Sequence, residues 1–459
     1  MRVAFICPEV SPFSKTGGLA DVAGALPPML KTLKNDVIVI TPKYKCCKNI
    51  KNPSFLPSKT PVYFINNKKF FYTDNLYGTA QGDYENNLER FSFFCKEAMI
   101  LIKKVFDKPP SIIHVNDWQT ALIPVYLKTL YSKDSYFKNV KSVMTIHNLA
   151  YQGIFPYQKI NELGLDAYKN FWGSFEFYGK INLLKAGIIF SDFITTVSQA
   201  YAQEIQTVEY GFGLEGIMQK KQSILAGIIN GLDYNLWNPQ TDKSIYFNYS
   251  SADITNKAKN KTMLQKELGL DVNKKTPLIG IVTRLADQKG LDILEQIIEP
   301  VISKAQFILL GTGDPRYEKI FYEFSTRHPK KVSANIKFDS ALANKIYAAS
   351  DIFLMPSKYE PCGLGQLIAL RYGTIPVVRR TGGLADTIRD MRFDKEKGNG
   401  FLFDEYNANE FLKVVNDAVD IYLTKTAFWR KKIKFVMNID YSWKHSAKIY
   451  NNLYKKISK

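Results

Sequence analysis

Four groups of residues combine cations, carboxylates, histidines or glycines in patterns that could bind a ligand or carry chemistry, and the first suits an anionic ligand. The first group, Lys15-Thr-Gly-Gly-Leu-Ala-Asp21, places paired glycines between an apolar run and a helical pattern. Glycines at such a turn let the backbone approach a ligand, and the helix start offers free N–H groups to an anion. Because Lys15 precedes the glycines, this is not the phosphate loop of nucleotide hydrolases. An ordinary turn into a helix is the alternative.

Two further groups place charged side chains directly after apolar runs. Arg284 and Lys289 stand five residues apart on one such loop, where they could converge on a pair of phosphates. Glu360 stands at a turn into a helical pattern, where a carboxylate can face a ligand or cap the helix. A solvated loop and a simple helix cap are the respective alternatives.

The last group consists of two of the four histidines, His114 and His147, which lie at the ends of apolar runs. Strand ends are where α/β sheets bind ligands, although a lone histidine is often a buried hydrogen-bonding group. The sequence contains no His-Glu-x-x-His and no Asp-x-Asp. We therefore predict no metal and no metal-dependent donor site.

These residues are positioned by alternating strand and helix patterns. Continuous β-branched runs are typical of parallel strands buried on both faces, and strand–helix alternation is typical of doubly wound α/β sheets. Ser198, before Gln199, and Asp292, before Ile293, are the predicted start signals, or caps, of two helices. Strands are predicted at residues 3–10, 36–41, 112–115, 142–147, 193–197, 224–229, 278–283, 305–310, 351–356 and 374–378, and the run 188–190 is also predicted as a buried strand.

The length of 459 residues exceeds one hydrophobic core and predicts two domains. We place the first at residues 1–235, the second at 236–440, and a C-terminal helix, 441–459, that packs back on the first domain. The hexapeptide Thr-Gly-Gly-Leu-Ala-Asp occurs at 16–21 and again at 381–386. Two similar halves that each present a glycine loop to one cleft would explain this repeat, and coincidence is the alternative.

Composition narrows the class of protein and its partners. The net charge of +19 comes from lysines scattered along the chain, which favours compositional bias over a nucleic-acid surface. No apolar run approaches the roughly 18 residues that cross a bilayer, and no leader sequence is evident. The five cysteines show no Cys-x-x-Cys spacing. We expect a cytoplasmic protein with neither nucleic acid nor membrane as partner.

Five motifs, K-T-G-G-L-A-D, H-N-L-A-Y-Q-G, R-L-A-D-Q-K-G, E-P-C-G-L and R-T-G-G-L-A-D, stand in a specific order and spacing. In these the sequence resembles the bacterial glycogen synthase and plant starch synthase family over essentially its whole length. The resemblance implies a GT-B fold, with two Rossmann-like doubly wound domains facing a central cleft. The first domain would hold the acceptor and the second the nucleotide sugar. It also implies retaining transfer of glucose from ADP-glucose to the non-reducing end of glycogen or another α-1,4-glucan, without a cofactor.

The resemblance also implies residue roles. Lys15, Arg284 and Lys289 would hold the diphosphate, His147 would contact the glucosyl unit, and Glu360 would lie beside the reacting centre; these five are the catalytic candidates. On the acceptor side, Asn116 stands where relatives often have histidine. The implied donor-binding residues are Lys15, Gly17, Gly18, Asp21, Asn230, Arg284, Lys289, Phe338, Cys362, Gly363, Leu364 and Gly365, and the implied acceptor-binding residues are Glu9 and Asp117.

The chemistry agrees with these roles. Cleavage of a glucosyl–diphosphate bond builds negative charge on the leaving phosphate, which preorganised cations stabilise. Three cations from two domains would meet when the cleft closes. Retention by double displacement and by front-face attack both stay open. The alternatives are a sucrose synthase-like or trehalose-forming transferase and a non-catalytic binder of polysaccharide or nucleic acid; a glucan phosphorylase is disfavoured because nothing marks a lysine for its pyridoxal cofactor.

Overall fold

The computed structural model describes residues 1–79 and 81–459, and the chain divides into two compact units. The first unit joins Met1–Gly231 to Trp443–Lys459, and the second is Leu232–Ser442. The sequence-based limits, after residues 235 and 440, lie within four residues of these positions.

The first unit contains an eight-stranded sheet and two small antiparallel sheets. Its strands are β1 (Arg2–Ile6), β2 (Asp36–Pro42), β3 (Ser54–Leu56), β4 (Thr60–Ile65), β5 (Gly78–Thr79), β6 (Gly82–Asp83), β7 (Ile112–Asn116), β8 (Lys141–Ile146), β9 (Ile154–Pro156), β10 (Glu176–Phe177), β11 (Lys180–Asn182), β12 (Phe193–Thr196) and β13 (Leu225–Gly227). The large sheet has the order β13-β12-β8-β7-β1-β2-β4-β3. All its neighbours are parallel except β3, which runs antiparallel to β4.

Helices cover this sheet. They are α1 (Gly18–Thr32), α2 (Lys68–Phe71), α3 (Asn87–Val105), α4 (Leu122–Lys128), α5 (Leu183–Phe190), α6 (Gln199–Glu204), α7 (Glu215–Lys220) and the C-terminal helix (Trp443–Ile457). Short 3₁₀ helices lie at Lys45–Cys47, Pro57–Lys59, Trp118–Thr120, Tyr157–Leu163, Asp166–Ser174 and Gln222–Ile224. The predicted cap Ser198 is confirmed, because its hydroxyl accepts the Tyr201 N–H. The predicted strand at 188–190 is wrong, since those residues end α5.

The C-terminal helix completes the core of the first unit. Its Tyr450 and Tyr454 are fully buried and pack with residues of β1, such as Val3 and Phe5. His114 of β7 lies within 2.5 Å of the Tyr454 hydroxyl through Nδ1. The last helix is therefore an integral part of this unit.

The second unit contains one six-stranded parallel sheet. Its strands are β14 (Leu278–Val282), β15 (Gln306–Leu310), β16 (Val332–Asn335), β17 (Ile352–Met355), β18 (Ile375–Arg379) and β19 (Phe401–Phe403). The order is β16-β15-β14-β17-β18-β19. Its helices are α8 (Thr255–Glu267), α9 (Leu291–Glu295), α10 (Ile298–Ile302), α11 (Pro315–Arg327), α12 (Ser340–Ala349), α13 (Gly365–Arg371), α14 (Gly382–Thr387), α15 (Ala408–Thr424) and α16 (Thr426–Met437), and a 3₁₀ turn lies at Asp287–Lys289.

A buried carboxylate aligns the two central strands of this second sheet. Oδ2 of Asp351 accepts the Lys261 ammonium at 2.6 Å and the Leu278 N–H at 2.9 Å. Because Leu278 begins β14 and Asp351 precedes β17, this contact fixes where both strands start. The carboxyl ends of β14 and β17 lead into the charged loops that contain Arg284, Lys289 and Glu360.

All ten strands of the predicted set exist, and the α/β class with parallel sheets is confirmed. The first strand is shorter than predicted and ends at Ile6. The predicted cap Asp292 is wrong: Gly290 precedes α9, and Asp292 lies in its first turn, where it accepts the Tyr406 hydroxyl at 2.5 Å. Among the described residues, no helix is both long enough and apolar enough to span a bilayer.

Candidate functional site

Several candidate residues lie where the strand order reverses in each sheet. In the first sheet, β2 and then β4 lie on one side of β1, and β7 begins the other side. In the second sheet, β15 lies on one side of β14, and β17 begins the other side. Ligands of open parallel sheets bind beyond the carboxyl ends of strands at such points. The first glycine loop follows β1, the Arg284–Lys289 loop follows β14, and the Glu360 loop follows β17.

Glu9 holds the first glycine loop from beneath. It is 2% exposed, and its Oε2 accepts the Thr16 N–H at 2.6 Å and the Thr16 hydroxyl at 2.8 Å. Burial raises the pKa of Glu9 to about 7, although the hydrogen bonds from Thr16 oppose that shift. One carboxylate oxygen is thus committed to the loop, and the acceptor-binding role of Glu9 stays a prediction.

The surface of this loop carries Lys15 and Asp21, whose side chains form an ion pair of 2.6 Å and are both partly exposed. Gly17 has an extended backbone, with φ −154°, and helix α1 begins at Gly18. A Cβ on Gly17 would meet no atom of the described residues within 4 Å. Neither the backbone nor the packing requires glycine at this position, so a side chain would alter only what approaches the loop from outside.

Asp117 follows β7 with a backbone in the left-handed region, at φ 57°. For a residue with a side chain this conformation is strained, and such strain is concentrated at functional sites. Its Oδ1 accepts the His147 N–H at 2.7 Å. Burial raises the pKa of Asp117 to about 7. The structure therefore brings Asp117 and His147 together at neighbouring strand ends.

Asn116 determines which nitrogen of His147 carries the proton. The Asn116 amide donates through Nδ2 to the Ile6 carbonyl at 2.9 Å, which turns its Oδ1 toward His147 Nε2, also at 2.9 Å. Since Oδ1 can only accept, Nε2 is the protonated nitrogen and Nδ1 is left as an acceptor. Burial lowers the pKa of His147 to about 3, so the ring is neutral at physiological pH. Asn116 was noted in the sequence only as a departure from histidine, and this role was missed.

His114, the other strand-end histidine, has a structural position. It is 1% exposed, and its Nε2 lies 2.6 Å from the Thr145 hydroxyl, opposite its contact with Tyr454. Thr145 in turn shares a hydrogen bond of 2.6 Å with Thr195. This chain ties β7, β8 and β12 to the C-terminal helix, so both ring nitrogens of His114 are occupied within the protein.

In the second unit, Lys289 and Glu360 form a largely buried ion pair. Lys289 Nζ lies 2.6 Å from Glu360 Oε2, and the side chains are 16% and 8% exposed. The Ser357 hydroxyl donates to the same oxygen at 2.9 Å, a contact that the sequence analysis missed. Arg284 is exposed and forms no ion pair with any residue of 1–79 or 81–459. Lys289 and Glu360 thus fix a cation and a carboxylate at the second switch point, the place where the strand order of the second sheet reverses. Arg284, on the same loop as Lys289, is exposed to solvent.

Close backbone approach brings these two loops together. Gly290 has φ 70°, and a Cβ there would lie 1.9 Å from the Pro356 carbonyl oxygen. The Lys358 N–H donates to the Gln288 carbonyl at 2.9 Å. Only glycine at position 290 permits this contact, and the contact places Lys289 beside Glu360.

The segment from Cys362 to Gly365 follows Glu360 and leads into α13. Gln366 fixes it from within: its Nε2 donates to the carbonyls of Cys362 and Gly363, each at 3.0 Å. Leu364 precedes α13 and Gly365 is its first residue. Gln366, one turn after Cys362, is a second supporting residue that the sequence analysis missed.

Within the described part of the chain, no hydrogen bond or ion pair joins the remaining two candidates to these clusters. Asn230 follows the edge strand β13; it is 6% exposed, and its Oδ1 has no hydrogen-bond partner among the described residues. Phe338 lies between β16 and α12, two strands away from β14, and is 91% exposed. Among the described residues no three His, Cys, Asp or Glu side chains form a group that could hold a metal ion.

Family models match most of both units. Residues 2–220 match the starch synthase catalytic domain, and residues 276–420 match the glycosyl transferases group 1 model. The glycogen synthase of Thermosipho melanesiensis is 47% identical over 481 aligned residues, and that of Thermotoga maritima is 47% identical over 486. In both alignments 99% of each chain is covered.

Solved structures are also similar to this chain. The catalytic domain of starch synthase IV from Arabidopsis thaliana, a structure bound to ADP and acarbose, gives a TM-score of 0.90 at 33% identity, with 99% of each chain covered. A sucrose-phosphate synthase from Thermosynechococcus elongatus gives 0.64 at 16% identity, covering 99% of this chain and 98% of that one. The second likeness concerns the fold alone.

Proposed function

Because this chain belongs to the glycogen and starch synthase family of glycosyltransferases, we propose that it transfers glucose from ADP-glucose to the non-reducing end of an α-1,4-glucan, with retention of configuration. As a family member it is a hexosyltransferase with a nucleotide-sugar donor and a glucan acceptor. The predicted GT-B class of its fold is confirmed by the likeness to starch synthase IV. The adenine nucleotide, glycogen as the acceptor and a cytoplasmic location belong to the proposal.

The observation that carries the proposal is the Lys289–Glu360 pair at the second switch point, with Arg284 on the same loop as Lys289. As the glucosyl–diphosphate bond breaks, negative charge collects on the leaving phosphate. A guanidinium binds two phosphate oxygens at once, and a lysine adds a compact charge. Glu360 holds Lys289 in place before substrate arrives, so little reorganisation is needed during the reaction.

Glu360 has a second proposed task beside the reacting carbon. Its Oε2 is occupied by Lys289 and Ser357, which fixes the plane of the carboxylate. Positive charge develops at the anomeric carbon as the diphosphate leaves. A fixed carboxylate stabilises that charge by electrostatic attraction.

The first unit is proposed to act on the same donor through Lys15 and the amides of Gly17 and Gly18. The exposed Lys15 ammonium can exchange its contact with Asp21 for a phosphate oxygen. His147, protonated on Nε2, is proposed to accept a hydrogen bond from a hydroxyl of the glucosyl unit through Nδ1.

Other predicted ligands complete the proposal. The amides of Cys362 to Gly365 and the Phe338 ring are assigned to the nucleotide, the ring by stacking on the base. Asn230 is assigned to the nucleotide sugar because its buried Oδ1 has no hydrogen-bond partner in the described part of the chain. A buried acceptor without a partner is costly unless a ligand donates a hydrogen bond to it. Glu9 and Asp117 are assigned to the acceptor side.

The test offers the purified protein glycogen together with either ADP-glucose or UDP-glucose, and measures released nucleotide and new α-1,4-linked glucose. We expect a higher kcat/KM for ADP-glucose; an equal or higher value for UDP-glucose would contradict the donor assignment. Transfer to fructose in place of glycogen would identify a sucrose synthase-like enzyme, and glucan binding without nucleotide release would identify a non-catalytic binder.

An arm with excess EDTA tests whether the protein's own cations suffice. We expect turnover to persist, and loss of activity that Mg²⁺ restores would contradict the roles of Lys15, Arg284 and Lys289. Arg284→Ala serves as the impaired control, with kcat lower by roughly 10²–10³. Arg316→Ala is the matched control variant for Arg284→Ala, because Arg316 is also an exposed arginine and pairs with Asp287 of the loop that carries Arg284.

A further inference from the structure

Two adjacent cysteines lie beside the first glycine loop and are absent from the predicted site. Cys46 and Cys47 are in the 3₁₀ turn after β2, and their sulfurs are 3.7 Å apart. Both thiols donate to the Phe13 carbonyl, at 3.5 and 3.3 Å. Cys46 is exposed, Cys47 is buried, and both are free thiols. The pair therefore presents two convergent sulfurs, one of them open to solvent.

The spacing of this pair favours a bridging atom over a disulfide. Neighbouring Cα atoms are about 3.8 Å apart, less than the roughly 4.4–6.8 Å found across disulfides, so a bond between these two sulfurs would be strained. A soft atom that bonds to both sulfurs tolerates a larger separation between them. Trivalent arsenic is such an atom, and thiolates are its preferred ligands.

We propose that Cys46 and Cys47 form a dithiol site for trivalent arsenicals, and that occupation of this site perturbs the loop that carries Lys15. An organoarsenic(III) oxide reacts with the two thiols as a pair. Two As–S bonds form, the As–O double bond breaks, and both thiol protons leave with that oxygen as one molecule of water. Arsenic stays trivalent, so neither an oxidant nor a reductant is required.

The link to the loop is the Phe13 carbonyl. Because both thiol protons leave in the reaction, Phe13 loses both S–H donors at once. On the other side of Glu9, the Tyr44 hydroxyl donates to the Pro8 carbonyl at 2.9 Å. Residues 44–47 therefore hold the chain before Lys15 at two carbonyls, those of Pro8 and Phe13. Arsenic removes the hydrogen bonds at Phe13.

The two thiols differ in reactivity. Burial raises the pKa of the Cys47 thiol to about 12, so very little of it is thiolate at neutral pH. A reagent that reacts with one thiol is expected to modify Cys46 alone. An arsenical reaches Cys47 as well, because the bond to Cys46 holds the arsenic next to the second sulfur.

The first test treats the full-length protein, kept reduced by a phosphine, with phenylarsine oxide and measures intact mass and the modified peptide. We expect one phenylarsenic group on the peptide that contains Cys46 and Cys47. Treatment with the dithiol 2,3-dimercaptopropanol should remove this group, and treatment with a monothiol should leave it bound. Cys46→Ser and Cys47→Ser should each lose it, and Cys95→Ser, which changes a buried cysteine elsewhere, should keep it. An adduct that survives in Cys46→Ser, or that maps to another cysteine, would overturn the proposal.

The second test rests on the proposed function and measures glucosyl transfer after the same treatment. We expect kcat/KM for the donor to fall roughly tenfold in the wild type, as for a small displacement of a positioned group. Cys46→Ser should have wild-type activity and should not respond to the reagent. An adduct that leaves the kinetics unchanged would overturn the coupling to Lys15. The mass measurement needs no enzyme activity, so failure of the dithiol site is distinguishable from failure of the proposed function.

Discussion

Residues 16–21 and 381–386 share the sequence Thr-Gly-Gly-Leu-Ala-Asp, and each leads into a helix after a strand of its own sheet, yet their surroundings differ. Gly17 is extended and open, and a Cβ there would meet no atom of residues 1–79 or 81–459 within 4 Å. Gly382 is buried with φ 43°, and a Cβ on it would lie 2.0 Å from the Glu360 carbonyl oxygen. Gly383 donates its N–H to that same carbonyl at 3.1 Å.

Lys15 and Arg380, which directly precede the two hexapeptides, also differ in their ion-pair partners. Lys15 lies on an exposed loop that Glu9 supports from below, and its partner is Asp21 within the hexapeptide. Arg380 pairs instead with Asp404, outside the second hexapeptide. We conclude that the first copy presents its backbone outward, while the second supports the loop that carries Glu360. Identical local sequence is therefore open to the outside in one unit and supports a neighbouring loop in the other.

The largest expected effect is that of Gly382→Ala. The alanine would combine a left-handed backbone with a clash against the Glu360 carbonyl, so we expect a loss of about 3–5 kcal/mol in the free energy of unfolding. Transfer activity should fall as well, because Glu360 must move. Chemical denaturation and donor kinetics measure the two effects. A variant of wild-type stability would contradict the supporting role of the second hexapeptide.

The next effect separates Lys15 from Arg380, which occupy equivalent positions before the two hexapeptides. Lys15→Ala should lower kcat/KM for the nucleotide sugar by roughly 10²–10³, because Lys15 is proposed to stabilise the charge on the leaving phosphate. Arg380→Ala removes only an exposed ion pair and should stay within about twofold of wild type. Equal losses in both variants would break the comparison.

A third effect is the pH dependence that Glu9 confers on the first loop. Its pKa of about 7 lies above the ordinary value, so the stability gained from its protonated form is present below about pH 4.5 and lost as the pH rises through 7. Glu9→Gln should remove up to about 3 kcal/mol of this decline in unfolding free energy. Asp117 titrates in the same range, so the difference between wild type and variant is the quantity to measure. Parallel pH profiles would show that Glu9 contributes nothing.

The smallest expected effect is that of Gly17→Ala, the counterpart of the first variant. Because the added methyl group meets no atom in the described part of the chain, the free energy of unfolding should stay within about 0.5 kcal/mol of wild type. Donor kcat/KM should still fall roughly tenfold, because the methyl group would stand where the donor is proposed to approach the loop. Destabilisation as large as in Gly382→Ala would remove the distinction between the two loops.

The sequence predicted the central strands well because buried parallel strands have continuous apolar composition. It failed where that composition is ambiguous: residues 188–190 are as apolar as a strand but end a helix, and short runs of this kind do not distinguish the two. The strands of the small antiparallel sheets were also missed, since segments of two or three residues, such as β10, have too few positions to form a pattern.

The positions of the candidate residues after strands were predictable from the sequence, and their contacts were not. Charged residues after apolar runs predicted the strand ends correctly, because parallel strands end at one edge of a sheet. The pair Lys289–Glu360 joins residues that are 71 positions apart, and no local pattern records such a contact. His114 and His147 have the same local setting, and only the position of Tyr454 shows that the first is structural.

The first unit is built from two stretches of chain, 1–231 and 443–459, and the second is one continuous stretch between them. During synthesis, the unit that begins first is therefore completed last. The second unit can fold as soon as residue 442 has left the ribosome, whereas the first must wait for the helix that brings Tyr450 and Tyr454 into its core. A chain that stalls before residue 443 would carry a complete second unit and a first unit with an open apolar face. Folding of the unit that contains the first glycine loop therefore depends on residues 443–459, which are synthesised after the whole of the second unit.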